Sequence, residues 1–181
     1  MRVSEPHILG VCCPIEAVLG AKLNNIELGE QSMTDQPNSQ LVETLSKLLA
    51  STYTLYIKTH NYHWNVTGPM FSSLHLLFET QYTELAAAVD EIAERIRAVG
   101  AYAPASCSAF SKLSAIEEEN GYPKAIDMIK NLAADQKVID EVARNVTKAA
   151  EVIGDQASVD LAVRRQEIHE KNAWMLRSHL E

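Results

Sequence analysis

"HNYHWNVTGPMFSSLHLLFETQYTELAAAVDEIAERIRAVG", residues 60–100, decides both the fold and the chemistry of this chain. Gly68-Pro69 interrupts it, and the apolar residues on either side recur at helical rather than strand spacing. Upstream, Leu41, Leu45, Leu48, Leu49, Thr52, Leu55, Tyr56 and Thr59 form one stripe. That stripe predicts a first helix from Ser39 to about Asn65. Downstream, Leu74, Leu77, Phe78, Leu85, Val89, Ile92, Ala93 and Ile96 predict a second helix. It begins within Pro69–Ser73 and stops at Gly100, a natural residue for the turn that closes a helix.

Outward from this hairpin, "AYAPASCSAF" (101–110) reads as a loop, and "SKLSAIEEENG" (111–121) as a short helix within a connection. Residues 122–154 predict a third helix, with Pro123 at its start and Gly154 at its stop. Residues 155–181 predict a fourth, capped by Asp155 or Ser158. No strand-like alternation of useful length occurs. Four helices of about 20–30 residues make an all-α four-helix bundle. The long link between the second and third is a crossover of the ferritin-like kind. The expected organisation is a mobile N-terminal arm, 1–36, and one bundle domain, 37–181.

Composition narrows the function. With 46% hydrophobic residues and a formal charge of −8, the chain is an ordinary globule with little to offer a polyanion. No apolar run is long enough to span a membrane. Pro14 and Glu16 break the only leader-like stretch. Cys12, Cys13 and Cys107 make no disulfide framework, which points to the cytoplasm. The sequons at Asn65 and Asn145 fall in predicted helices and read as chance.

The second helix carries His75, Glu79, Asp90 and Glu94. At about 100° per residue, the last three lie at about 40°, 60° and 100° from His75, so all four share a face. Taken singly, each is more simply a solvated or ion-paired side chain, with Arg95, Arg97 or a lysine as partner for the acids. Taken together with His63, they are two imidazoles and three carboxylates without an intervening cation on that stripe. A bound cation is the simplest relief of such a cluster. Mixed imidazole and carboxylate donors suit Fe(II), Mn(II) or Zn(II), and a cysteine-free set leans to iron. The Glu-x-x-His pairs of an internal di-iron bundle site are absent, because no histidine has a glutamate three residues before it.

Glu79 and Asp90 stand eleven residues apart, about 16 Å along a helix, whereas ligands sit about 2 Å from an ion. "TQYTELAAA" offers no Gly or Pro to break the helix between them. Two antiparallel copies of it across a two-fold axis near residues 84–85 would set His75 and Glu79 of one opposite Asp90 and Glu94 of the other. His63 would close each of the two equivalent sites.

The run quoted at the outset, with its HW…H…D-x-x-x-E pattern, resembles the signature region of the Dps-type miniferritins; the resemblance covers residues 40–181. It implies a ferritin-like bundle assembling into a hollow dodecamer. Such shells oxidise Fe(II) at intersubunit ferroxidase centres of one or two irons, usually with hydrogen peroxide rather than oxygen, and store ferric mineral. On that resemblance His63, His75 and Glu79 are the metal ligands of one subunit and Asp90 and Glu94 those of its neighbour. Trp64 matches the tryptophan held to intercept oxidising equivalents. Family members often carry aspartate at the position of Glu79, and the longer arm shifts metal spacing. DNA binding, the alternative function of the family, transfers poorly. Residues 1–40 hold only Arg2 and Lys22 against Glu5, Glu16, Glu27, Glu30 and Asp35, and "RSHLE" adds no basic tail. For acidic iron-entry pores the candidates are Asp135, Asp140, Glu141, Asp155 and Asp160. The expected setting is cytoplasmic, with association with the nucleoid left open.

Overall fold

The computed structural model describes residues 36–181; the predicted N-terminal arm, 1–36, lies outside the described residues except for Gln36, which is helical. These form five helices: α1 (Gln36–Asn65), α2 (Phe71–Ala98), α3 (Cys107–Leu113), α4 (Ala125–Ile153) and α5 (Gln156–Arg177). No strand occurs among them. The four long helices make the bundle and α3 rides in the crossover.

The predicted stripes are the buried faces. Leu41, Leu45, Leu48, Leu55 and Tyr62 of α1 pack with Leu74, Phe78, Leu85, Ile92 and Ile96 of α2. Met128, Leu132, Ile139 and Val146 of α4 complete the core with Leu161 and Leu176 of α5. Chain punctuation sets the ends. Gly100 takes φ 94°, and the Gly100 and Ala101 N–H groups bond back to the Arg97 and Ile96 carbonyls, closing α2. Gly154, at φ 71°, closes α4 in the same way, with Asp155 N–H on the Ala150 carbonyl. Asp155 then caps α5 by accepting from Ser158 N–H, so the predicted capping residue is the one used.

The short crossover helix begins earlier than expected. Cys107–Phe110 is helical rather than loop, and the Glu117–Glu119 run is not helical. Ser106, in extended conformation, accepts from Ala109 N–H and nucleates the turn. Phe110 then packs against Tyr53 of α1, ring centroids 4.7 Å apart and planes tilted by 35°. Further on, Tyr62 donates to Glu119 (2.8 Å), and Lys58 donates to the Glu117 carbonyl and pairs with Asp135 at 2.8 Å. The acidic run is thus held as extended chain against α1 by two buried side chains.

Packing between α2 and α5 is the thinnest among the contacting long helices. Arginine–carboxylate pairs make that seam: Arg95 with Asp155 (2.6 Å), Arg164 with Glu91 and Arg165 with Glu84. Four acids named as pore candidates make ion pairs within the chain: Asp135 with Lys58, Asp155 with Arg95, Asp140 with Arg144 at 3.0 Å and Glu141 with Lys148 at 3.7 Å.

Candidate metal centre

The turn at residues 66–70 sets the end of α1 beside the start of α2. Gly68 adopts φ 102° there, a conformation that only glycine takes without strain, and its carbonyl accepts from Phe71 N–H at 3.0 Å. Val66 is buried beneath the turn and pins it to the core. His63 and His75, twelve residues apart in sequence, meet across this corner. Their rings stack with centroids 3.8 Å apart and planes 19° from parallel.

His63 Nδ1 lies 2.8 Å from the His75 carbonyl, and His75 Nδ1 lies 2.9 Å from the His63 carbonyl. A carbonyl only accepts, so each Nδ1 must carry the proton and donate. In the neutral rings both Nε2 atoms then keep their lone pairs, the form in which imidazole binds a metal. His63 is almost buried, His75 half-buried. Phe71 covers the His75 ring at 5.0 Å, and Tyr82 meets His63 edge-on at 5.1 Å.

Sequence reasoning missed an aromatic neighbour of this pair. His60 lies sandwiched between Trp64 (3.9 Å) and Tyr82 (4.0 Å), with its centroid 6.0 Å from that of His63. Burial, and secondarily the nearby His63, hold its pKa below the ordinary imidazole value. The signal was present: His60 precedes His63 and Trp64 by one helical turn, and Tyr82 follows His75 by two. Trp64 itself is 66% exposed, so core packing does not account for it.

The acids of α2 divide into two groups. Glu84 and Glu91 reach arginines of α5. Glu79, Asp90 and Glu94 are exposed and have no ion-pair partner among the described residues. The nearby cations are committed elsewhere, Arg95 to Asp155 and Arg97 to the Ala101 carbonyl and the Tyr102 ring face. The intramolecular pairing that would have explained Asp90 and Glu94 away is therefore not made among the described residues.

Among the described residues of one chain, no three His, Cys, Asp or Glu side chains converge enough to hold a metal. Of the five expected ligands, only His63 and His75 come together. Glu79 lies one turn beyond His75 without forming such a group, and α2 runs unbroken past Asp90 and Glu94. The α1–α2 hairpin also leaves Ile57, Trp64, Phe71 and Leu76 exposed.

A ferritin-like domain family matches residues 42–181. An uncharacterised low temperature-induced protein of Nostoc is 38% identical over 82% of this chain and 84% of its own. The crystal structure of a Dps protein from Bacillus brevis superposes with a TM-score of 0.80 at 31% identity, covering 82% of this chain and all of that one. A Vibrio cholerae Dps structure, described as a member of a broad superfamily of ferritin-like diiron-carboxylate proteins, gives 0.77 at 30% identity, over 80% and 91% of the two chains. The helical bundle with this crossover thus has its counterpart in solved structures, and the chain belongs to the ferritin-like family, in its Dps-type branch.

Proposed function

We propose that this protein is an iron-sequestering ferroxidase. It oxidises Fe(II), preferably with hydrogen peroxide, at centres shared between two subunits, and retains ferric iron inside a hollow dodecamer. The observation that carries the reading is the division of the ligands. The corner between α1 and α2 presents two Nε2 lone pairs, while Asp90 and Glu94 lie further along the unbroken α2, Asp90 about 16 Å beyond Glu79, with no ion-pair partner among the described residues.

An antiparallel two-fold copy supplies what each half lacks: His63, His75 and Glu79 from one chain, Asp90 and Glu94 from the other. Such contacts are self-complementary, so one pairing builds two equivalent centres. The exposed Ile57, Trp64, Phe71 and Leu76 on the same hairpin suit burial in that contact. Imidazole and carboxylate donors without thiolate favour Fe(II) and also stabilise Fe(III). Two Fe(II) ions reduce one H2O2, with two protons, to two waters, yielding two Fe(III). Delivering both electrons before release avoids hydroxyl radical, which single-electron reduction would liberate.

Anaerobic titration of Fe(II)-loaded protein with peroxide tests this. The expected result is loss of Fe(II) at two per peroxide consumed, without spin-trapped hydroxyl radical. Fe(II) that stays reduced, or radical yields equal to those of free Fe(II), would refute it.

A further inference from the structure

The seam between α2, α4 and α5 holds a polar network that the metal centre does not use. Arg165, 2% exposed, makes a two-pronged contact with Glu84 and also donates to His169 Nε2 at 3.2 Å. Because Nε2 accepts from Arg165, the buried His169 carries its proton on Nδ1 and donates it to Gln136 Oε1 at 2.6 Å. That chain of donors fixes the orientation of the Gln136 amide. It leaves Gln136 Nε2 and Arg165 Nε buried without a partner among the described residues. One turn before Glu84 on α2, Gln81 is 2% exposed, and neither atom of its amide has a partner among them.

Native interiors seldom leave such groups unpaired, and four unpaired atoms on three side chains of one seam call for a ligand. Its chemistry follows by elimination. Arg165 and Glu84 neutralise one another, and burial beside Arg165 keeps His169 uncharged, so no charge remains to hold an ion. The unpaired groups comprise amide and guanidinium donors and one carbonyl acceptor, so the ligand must both accept and donate. We propose that this seam is an internal water-binding site, with solvent bridging Gln81 of α2, Gln136 of α4 and Arg165 of α5. Glu84, with a third of its side chain exposed, gives the entry from bulk. The site substitutes hydrogen bonds for apolar packing between α2 and α5, the contacting pair of long helices that touches least.

The inference does not depend on the ferroxidase reading, and the full-length assembled protein tests it. A high-resolution crystal structure of the wild type is expected to show ordered solvent within hydrogen-bond distance of the Gln81 amide and of Gln136 Nε2 or Arg165 Nε. Gln81→Met, close in volume but unable to hold water, is expected to lower Tm. A seam without solvent density overturns the proposal. So does an unchanged or raised Tm in the variant, which is what relieving an unpaired amide in a dry core would give.

Discussion

His63 and His75 each hold the other's ring through the other's main chain, at 2.8 and 2.9 Å, across the only sharp corner of the α1–α2 hairpin. Neither tautomer is free, and each ring depends on the other residue for its orientation. His75→Ala keeps the residue-75 carbonyl that accepts from His63 Nδ1, but it should still cost more than one ligand, because His63 loses the ring stacked on it at 3.8 Å and the hydrogen bond that its own carbonyl accepts from His75. Affinity for a redox-inert probe, Co(II), should fall about 100-fold, toward the upper end for losing a ligand's orienting partner. Calorimetric titration checks this, and an unaltered Co(II) affinity would remove the histidine pair from the centre.

Asp155 joins three elements with one carboxylate. It caps α5 through Ser158 N–H, accepts from Ser158 Oγ at 2.8 Å, and receives Arg95 of α2 on both oxygens at 2.6 Å. Burial raises its pKa, but the Arg95 and Ser158 hydrogen bonds outweigh this and hold the carboxyl below the ordinary aspartate range. Asp155→Ala loses the cap and strands a partly buried guanidinium, at a cost of about 2–4 kcal/mol. Asp155→Asn keeps the cap and should lose less. Urea denaturation of the two variants distinguishes the contributions.

His169 predicts the pH response. Burial, with Arg165 adding to it, pushes its folded pKa well below 6.5, so near neutrality the imidazole is uncharged in both states. Below about pH 6.5 the unfolded chain takes up a proton that the native protein refuses. Stability from this residue is therefore full above that pH and declines as pH falls, by at most about 1.4 kcal/mol per unit. Denaturation midpoints from pH 7 to pH 5 should show the slope, and His169→Gln should flatten it even if the variant is less stable throughout.

The helices were legible in the sequence because their periodicity is long and their stops are glycines with a conformational reason, Gly100 and Gly154. Asp155 was legible as a cap for the same local reason. The crossover was not. Its helix starts at Ser106 because of a side-chain cap, and its acidic run is pinned by Lys58 and Tyr62, contacts between residues nearly sixty apart. The allocation of charge was equally hidden. Nothing in the spacing on α2 says that Glu84 and Glu91 find Arg165 and Arg164 while Asp90 and Glu94 find no cation among the described residues, since that depends on how α5 lies. The His63–His75 corner needed only the turn between them.

Charge also sets the expectation for DNA. Residues 1–40 carry two basic against five acidic residues, a net of −3, on a chain of net −8. Counterion release requires lysines or arginines placed on phosphates, and this segment cannot supply them. Plasmid should show no retardation near neutral pH at physiological salt, and deleting residues 1–32 should not change that. Tight, salt-sensitive retardation would instead point to lysines on the bundle surface or to a bridging divalent cation.

The shared centre makes a prediction that a site within one chain cannot make. If His75 and Glu94 serve one iron from different subunits, either His75→Ala or Glu94→Ala alone disables every centre in the assembly. Mixed together, the two variants behave differently. At a two-fold contact between one of each, one centre receives both defects and the other is built wholly from native ligands, because the contact is isologous. Random mixing makes about half of all contacts heterotypic, each with one intact centre of two, so about a quarter of the centres should recover. The argument needs only that the halves lie too far apart to meet within a chain, which the unbroken α2 and its rise of about 16 Å between Glu79 and Asp90 provide. The measurement is peroxide-dependent Fe(II) oxidation after co-refolding, with mass spectrometry to establish mixed assemblies. Recovery near a quarter of wild-type activity is the expected result. A mixed assembly as inactive as its parents would sink the intersubunit centre, and a ligand set from a single chain would have to replace it.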